Sequence, residues 1–366
     1  MINYALLGIT FTIALAFSYF LTPLMRVIAL RLGILSKPGK RMVHTKSIPF
    51  LGGIAIYFAF VISIFFVCFV NPEFRIEFCQ QIKGLLIAGA LVVILGLCDD
   101  AKGINPLVKL SGQVAIALLL FGYGFRVEVF TNPLTGVETH LPFLLSIFIT
   151  ISWIVGLVNA MNLIDGLDGL AAGITVIVAG SLLFIDLFLA NNISIFLLAA
   201  LAGSALGFLR FNFFPAKIFM GDTGSMFIGL ALASIALVES QHKSSTATVL
   251  LVPITALIIP IYDTVMAFFR RLLKKGSIFK ADKKHLHHRL LSTGLTQKQI
   301  VPFIYLITLY LGIFAFLFVL IPNKYALTLL FLLALGLFLA TRVIGFIERS
   351  ARTIHRLELK RRKQEA

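Results

Sequence analysis

The chain has 366 residues, of which 59% are hydrophobic and only 13% are charged. Its mean hydropathy is +0.99. Soluble domains are about half apolar and a quarter charged, so this composition excludes a soluble protein and predicts an integral membrane protein. The net charge of +16 does not by itself indicate nucleic-acid binding, because membrane proteins collect Lys and Arg in the loops of one side.

Apolar runs of about 17 to 25 residues predict transmembrane helices. The first run, Tyr4 to Leu24, lacks a basic leader and continues into a polytopic pattern, so we expect it to be kept as a span rather than cleaved as a signal. The predicted fold is an all-α polytopic membrane protein with about eleven transmembrane helices. These lie near residues 4–25, 51–70, 82–98, 107–123, 141–158, 170–190, 193–209, 224–238, 249–269, 301–321 and 325–345.

The distribution of basic residues orients this pattern. An odd number of spans places the two termini on opposite sides, and most of the 32 Lys and Arg residues fall in loops on the side of the C-terminus. The positive-inside rule therefore predicts a cytoplasmic C-terminus and an outer N-terminus. The loops predicted to lie outside carry only Arg75, Lys83, Arg126, Lys243 and Lys324.

Two segments outside the spans have recognisable patterns. Residues 126–141 alternate about the turn Asn132-Pro-Leu-Thr-Gly136, which predicts a small outer β-hairpin. The basic residues from Arg349 to Lys363 repeat at helical spacing, which predicts a helix lying on an anionic leaflet. We therefore expect a single transmembrane catalytic domain over residues 1–345 and a basic cytoplasmic tail over residues 346–366.

The most polar stretch within the apolar chain is Asn159-Ala-Met-Asn162-Leu-Ile-Asp165-Gly-Leu-Asp168-Gly-Leu170. Polar groups at membrane depth are expensive unless they are paired, hydrated or bound to an ion, so this stretch is a functional candidate. A helix cap followed by a turn is the alternative interpretation. The presence of two Asn and two Asp within ten positions favours the interpretation that this stretch forms one wall of an active site.

Three further polar clusters fall at the predicted cytoplasmic face. Asp99 and Asp100 end the third span, with Lys109 nearby, although a loop that merely ends a helix would look the same. Asp222 precedes a helix, where an acid is also an ordinary cap. His285, His287, His288 and Arg289 lie in a long basic loop, and the lack of a second ligand set argues against zinc. Imidazoles beside basic side chains are better suited to holding a pyrophosphate, and a solvated loop is the alternative.

The conjunction of these clusters indicates a reaction class. Mg²⁺ is usually bound through a few carboxylates together with substrate phosphates, and a basic loop on the same face can neutralise those phosphates. Phosphoryl transfer depends mainly on such positioning and charge compensation. The residues alone thus predict Mg²⁺-dependent phosphoryl transfer at the cytoplasmic membrane surface.

Five motifs in order resemble the polyprenyl-phosphate N-acetylhexosamine-1-phosphate transferases. They are His44-Thr-Lys46-Ser-Ile-Pro49-Phe-Leu-Gly52-Gly53, Asp99-Asp100 with Lys109-Leu-Ser-Gly-Gln113, Asn159 to Leu170, Asn212 with Phe219-Met-Gly-Asp222-Thr-Gly-Ser225, and His285-Leu-His-His288. The form of the histidine motif and the basic tail resemble the branch that acts on undecaprenyl phosphate with GlcNAc. The sister branch, which transfers phospho-MurNAc-pentapeptide, typically has three consecutive histidines.

The resemblance implies a reaction in the inner membrane of a bacterium. UDP-GlcNAc and undecaprenyl phosphate would give GlcNAc-pyrophosphoryl-undecaprenol and UMP, with Mg²⁺ or alternatively Mn²⁺ as the cofactor. The product would enter cell-envelope polysaccharide synthesis, such as O-antigen or teichoic acid. Membrane lipids and a second copy of the chain are the other implied partners. Another UDP-N-acetylhexosamine, or phospho-MurNAc-pentapeptide, is the alternative donor group.

The resemblance also implies roles for individual residues. Asp222 would bind the metal, with Asp99 and Asp100 as further metal ligands that orient and deprotonate the lipid phosphate. The catalytic set is Asp99, Asp100, Asp165, Asp222 and His287. The substrate-binding set is Lys46, Lys109, Asn159, Asn162, Asp168, Asn212, Phe219, His285, His288 and Arg289, with Asn212, Phe219 and Lys46 near the uracil.

Two other protein classes remain as alternatives. A transporter would place acids near the bilayer midplane and show repeated halves, whereas most acids here lie at the rim. Asp263 is the exception, and it either faces the site or pairs with a neighbour. A nucleic-acid-binding module would use the basic tail and loop, but topology and anionic lipid already explain those charges. No nucleic-acid partner is therefore expected.

Overall fold

A computed structural model describes residues 3–36, 47–131, 138–189, 192–242, 248–273, 286–321, 325, 327–339 and 342. Fourteen helices and four short strands form this part of the chain. The predicted all-α class is confirmed. The predicted basic tail lies outside the described residues, so the division into a domain and a tail stays a prediction.

The helices follow one another with short connections. They are α1 Tyr4–Leu32, α2 Gly52–Val70, α3 Pro72–Glu77, α4 Cys79–Lys102, α5 Pro106–Gly122, α6 Phe143–Ile164, α7 Leu170–Leu189, α8 Asn192–Asn212, α9 Gly221–His242, α10 Thr248–Ala256, α11 Ile258–Leu273, α12 Leu286–Leu291, α13 Gln297–Leu320 and α14 Leu327–Leu339.

Within the described ranges, eight helices are long and apolar enough to cross a membrane, namely α1, α2, α4, α6, α7, α8, α9 and α13. Helices α5 and α14 are apolar but shorter. The expected count of eleven spans is therefore not confirmed. The predicted ninth span is two helices, which meet at Leu257. Pro260 explains the break, because proline has no N–H to donate and its ring clashes with the carbonyl four residues earlier, on Ala256.

Two short antiparallel hairpins accompany the helices. Strands β3 (Val129–Thr131) and β4 (Glu138–His140) pair with Phe130 opposite Thr139, which confirms the predicted hairpin. Strands β1 (Leu35–Ser36) and β2 (Ile48–Pro49) form a second pair that the sequence did not predict. This second pair places β2 directly before α2.

Helix α9 lies in the middle of the bundle and is almost entirely buried. It packs against α4, α6 and α2. Glycines allow two of these contacts to be backbone against backbone. A Cβ at Gly96 of α4 would lie 2.6 Å from the Thr223 Cα, and a Cβ at Gly53 of α2 would collide with Gly224. The start of α9 is thereby fixed against both neighbours.

Candidate active site

The polar motifs meet where four helices begin or end. The C-terminal ends of α4 and α6 meet the N-terminal ends of α5 and α9. Because each helix is anchored by its apolar body, the side chains at these ends are carried to one place. Asp99, Lys109, Asn162 and Asp222 form this group, and we call them the carboxylate cluster.

Lys109 is the bridge of the carboxylate cluster. Its Nζ donates to Asp99 Oδ2 at 2.8 Å and also pairs with Asp222. The Lys109 side chain is only 14% exposed, whereas that of Asp222 is 30% exposed. A buried ammonium between two carboxylates offsets their repulsion, and a buried charge needs such a partner. Asp222 nevertheless keeps an accessible edge.

The other ends of the two carboxylates are held by neutral donors. Asn162 Nδ2 donates to Asp222 Oδ1 at 2.7 Å and to Ser225 Oγ at 3.0 Å. The Ser225 hydroxyl donates in turn to the Gly221 carbonyl at 2.9 Å. The backbone N–H of Ile104 donates to Asp99 Oδ1 at 2.8 Å. Each carboxylate is therefore oriented by two contacts, one to Lys109 and one to a neutral donor.

Asp100 is adjacent to Asp99 in sequence but has different partners. Its Oδ1 accepts from the Asp222 N–H at 2.9 Å, and its Oδ2 accepts from the Thr223 N–H at 3.1 Å and the Thr223 hydroxyl at 2.7 Å. These are the first amides of α9, which have no partner within that helix. Asp100 thus caps α9 from a neighbouring helix.

Asp165 follows the last residue of α6. Burial, with the negative charges of Asp222, Asp100 and Asp168 adding to it, raises the pKa of Asp165 to about 8. Without a metal ion, this environment therefore favours the protonated form of the carboxyl group. The position of Asp165 near three other acids agrees with the prediction that these residues converge.

Asp168 and Asn212 tie two loops together. Asp168 Oδ2 accepts from the Ala216 N–H at 2.9 Å. Asn212 Oδ1 accepts from the Gly169 N–H at 3.0 Å, and its Nδ2 donates to the Ile218 carbonyl at 3.0 Å. We call these two side chains with their three backbone partners the loop clasp. Asn212 is 2% exposed, so its predicted contact with uracil stays a prediction, and its present partners are main-chain groups.

Asn159 lies one helical turn before Asn162, facing α5. Its Nδ2 donates to Gln113 Oε1 at 2.7 Å and to the Val155 carbonyl at 2.8 Å. Both N–H groups of the Asn159 amide are therefore used within the protein. The carbonyl oxygen is the end of this side chain that is suited to meet a substrate donor.

Phe219 is tied to the first motif through its backbone. Its N–H donates to the Pro49 carbonyl at 2.9 Å, and its carbonyl accepts from the Gly52 N–H at 3.0 Å. The Phe219 ring lies 6.3 Å from that of Phe50, centroid to centroid. The first and fourth motifs, which are far apart in sequence, therefore form one wall.

Part of the predicted site lies outside the described residues. Lys46 and His285 lie outside the described residues, and the side chains of His287 and His288 are not described although both belong to α12. Arg289, in the same helix, is exposed. The convergence of the histidine motif with the acids stays a prediction.

The donor chemistry of the carboxylate cluster suits Mg²⁺. Mg²⁺ is commonly held by one or two carboxylates, with waters and substrate phosphates completing six oxygens. Asp222 and Asp99 can supply such oxygens. Among the described residues, no three His, Cys, Asp or Glu side chains form a complete metal cage. The arrangement therefore fits an ion that is shared with a phosphorylated substrate.

Three residues of the site had no predicted role. Thr223 and Ser225 hold Asp100 and Asn162, and Gln113 holds Asn159. All three belong to motifs that the sequence displays. The sequence feature that could have identified them is a hydroxyl or amide side chain within an otherwise apolar helix.

Comparison with known proteins identifies similar chains. The family model described as glycosyl transferase family 4 matches residues 82–240. A probable undecaprenyl-phosphate N-acetylglucosaminyl 1-phosphate transferase of Bacillus subtilis is 33% identical, over 93% of this chain and 92% of its own length. A decaprenyl-phosphate N-acetylglucosaminephosphotransferase of Mycobacterium leprae is 37% identical over 85% and 82%. An undecaprenyl-phosphate alpha-N-acetylglucosaminyl 1-phosphate transferase of Escherichia coli K12 is 30% identical over 90% and 91%.

Proposed function

The chain belongs to glycosyl transferase family 4, and from that premise we propose that it transfers GlcNAc-1-phosphate from UDP-GlcNAc to undecaprenyl phosphate. The acceptor class, a polyprenyl phosphate, and the transferred group follow the names of relatives that match nearly the whole chain. The chain is a multi-pass membrane protein. The nucleotide donor and the length of the lipid are the finer parts of the proposal.

One observation carries the assignment of the site. Lys109 bridges Asp99 and Asp222 at the ends of helices that are otherwise apolar. Such a charged group at the rim of the bundle suits a reaction between a lipid phosphate and a water-soluble nucleotide, because the two substrates meet only at the membrane surface. The predicted topology puts this rim on the cytoplasmic side.

In the proposed reaction, the residues of the chain would have the following roles. Asp99 would orient Lys109, and the Lys109 ammonium would pair with an oxygen of the lipid phosphate, which is largely a dianion at neutral pH, in place of a carboxylate. That phosphate oxygen attacks the phosphorus atom that carries the sugar, the bond to the UMP oxygen breaks, and UMP leaves. Asn162 and Ser225 hold Asp222 in place during this step. Positioning of this kind supplies much of the rate in phosphoryl transfer.

A bound Mg²⁺ would supply charge neutralisation for the diphosphate. Asp222, which has the more exposed carboxylate of the cluster, would hold it. Asn159, with its amide hydrogens already used, would offer its carbonyl oxygen to a substrate donor. Phe219 would form the base side of the nucleotide site, on the loop that the loop clasp holds in place. The histidine motif would contact the diphosphate or the sugar.

The experiment is a panel of UDP-sugars with the full chain in detergent. UDP-GlcNAc, UDP-GalNAc, UDP-glucose and UDP-MurNAc-pentapeptide are each supplied with undecaprenyl phosphate and Mg²⁺, and the release of UMP is measured. We expect UDP-GlcNAc to give the highest kcat/KM and a chelator to abolish release. Preference for another donor would correct the sugar, and a folded protein inactive with every donor would contradict the reaction class.

A further inference from the structure

The adjacent carboxylates of Asp99 and Asp100 point to different places. Successive residues of a helix are rotated by about 100°, so two neighbours cannot share one direction. Asp99 faces Lys109, with its Oδ2 2.8 Å from the Nζ. Asp100 faces the first turn of α9 and accepts three hydrogen bonds from Asp222 and Thr223. Both oxygens of Asp100 are thus engaged by α9.

We propose that Asp100 is a positioning residue, which caps α9 from α4 and thereby fixes the carboxylate of Asp222, and that Asp99 alone of the pair faces the reacting groups. The assignment rests on the proposed function, because it concerns how Asp222 is held for that reaction. It departs from the equal roles that the motif resemblance gives to the two acids.

The surroundings of Asp100 agree with this assignment. An acceptor at a helix start satisfies amides that the helix itself leaves unpaired. Gly221, the first residue of α9, has a positive φ of 69°, and a Cβ there would collide with the Asp100 carboxylate. The α9 start is therefore shaped to let this carboxylate approach. Gly96, one turn earlier in α4, brings the two backbones together at Thr223.

The geometry gives a chemical reason why the cap would affect the reaction. The amide that Oδ1 accepts is that of Asp222 itself, the residue proposed to hold the metal. Displacement of the start of α9 would move the Asp222 carboxylate away from Lys109 and Asn162. A misplacement of about 1 Å can lower a rate about a hundredfold without removing a catalytic group.

The first test compares Asp100→Ala with Asp100→Asn. Asn is about as good a helix cap as Asp. Its Oδ1 can still accept from the Asp222 N–H and the Thr223 hydroxyl can turn to accept from the new amide, whereas the hydrogen bond from the Thr223 N–H is lost. We expect kcat to fall about a hundredfold in Asp100→Ala and about tenfold or less in Asp100→Asn. The KM for UDP-GlcNAc should change less than about threefold in both. Equal inactivity of the two variants would overturn the proposal, since a proton acceptor or metal ligand needs the carboxylate.

Thr223→Val provides a second test that keeps the shape of the side chain. It removes the hydroxyl that donates to Asp100 Oδ2. We expect kcat to fall about fivefold, with no further loss when Thr223→Val is added to Asp100→Ala, because both variants break the same contact. Independent, additive effects of the two substitutions would contradict the cap.

Hydrogen–deuterium exchange at the start of α9 measures, without any substrate, how well Asp100 protects the first amides of the helix. The amides of Asp222 and Thr223 should exchange at least about tenfold faster in Asp100→Ala than in the wild type. Asp99→Asn is the matched control and should lose turnover with unchanged exchange at these amides. Asn3→Ala removes an ordinary cap from α1, where Asn3 accepts from the Leu6 N–H, and should leave kcat unchanged.

The outcomes separate the two proposals. Unchanged exchange at α9 in Asp100→Ala would overturn the cap, even if turnover is lost. A wild-type protein that is inactive with UDP-GlcNAc would contradict the proposed function, while the exchange measurement would still decide the role of Asp100.

Discussion

The carboxylate cluster and the loop clasp use the same residue types for different purposes. Each contains Asp and Asn, and each joins segments that are distant in sequence. In the carboxylate cluster, Asp222 meets side chains, and 30% of its own side chain is exposed. In the loop clasp, Asn212 meets only main-chain groups and is 2% exposed. The two regions thus differ in the partners and the exposure of their polar side chains, not in residue type.

The difference has a physical basis. A buried main-chain N–H or C=O requires a hydrogen bond, and an amide side chain can satisfy one of each kind without carrying charge. Excess negative charge is tolerated only where a cation can reach it. Asn212 therefore meets its needs within the loop clasp, whereas the carboxylate cluster has two carboxylates that share one ammonium group.

The largest effect is expected from the substitution Asp222→Asn. It removes the charge that would hold Mg²⁺ while keeping the acceptor oxygen that Asn162 contacts. We expect kcat to fall by about three to four orders of magnitude, because charge stabilisation is usually the largest single contribution to such catalysis. UMP release measures the rate, and melting temperature in detergent verifies folding.

Glu77→Gln is the control for Asp222→Asn, since it also removes one negative charge but from an exposed residue of α3. Its kcat should match the wild type. A wild-type rate in Asp222→Asn would dismiss Asp222 as the metal ligand and with it the contrast between the two regions.

A smaller effect, of a different kind, is expected from Asn212→Ala. It leaves the Gly169 N–H and the Ile218 carbonyl without their partner, so the folded state should lose at least about 2 kcal/mol. At a temperature where the variant is folded, kcat should stay within about tenfold of the wild type. Thermal unfolding and steady-state kinetics measure the two quantities.

Asn212→Asp sharpens this result, because Asp can still accept from Gly169 but cannot donate to Ile218. Its loss of stability at neutral pH should be at least as large as that of Asn212→Ala, because an ionised carboxylate would be buried against the Ile218 carbonyl. If instead Asn212 contacts uracil directly, the KM for UDP-GlcNAc would rise more than about a hundredfold with no loss of stability, and the loop clasp would have to be reassigned as a substrate contact.

The last expected effect concerns stability rather than turnover, and it is a pH dependence that arises from Asp165. Its pKa is about 8 in the folded chain and about 3.9 in an unfolded one. Between these values the folded state holds the extra proton, so its stability without metal should fall as the pH rises from about 4 to about 8. Asp165→Asn should flatten this slope, and Mg²⁺ should also reduce it. Melting temperatures at several pH values measure it, and an unchanged slope in Asp165→Asn would contradict the assignment.

The sequence predicted the helices well where apolar length alone determines them. The helices α2 and α7 lie within a residue or two of the predicted spans at 51–70 and 170–190. The one long apolar run that was predicted as a single helix breaks at Leu257, because Pro260 interrupts it. The hairpin of β1 and β2 was missed because its strands contain two residues each, too few to show an alternating pattern.

The motifs predicted which acids converge but not how each one is used. Asp99 and Asp100 are equivalent in any residue pattern, and only the direction of each side chain on α4 separates them. Asn212 was predicted as a substrate contact, whereas its neighbours in space are main-chain groups that sequence does not display. The roles of Thr223 and Ser225 depend likewise on contacts across helices, which are set by the packing of α9.

Gly53 and Gly96 have no reactive side chain, yet they determine the position of α9. An alanine at either position would push α9 away, since its methyl group would occupy space that the α9 backbone fills. In a saturation mutagenesis screen, these two positions should be as intolerant as the acids themselves. A map of sensitive positions would then outline the glycines that support the reaction centre as well as the centre itself.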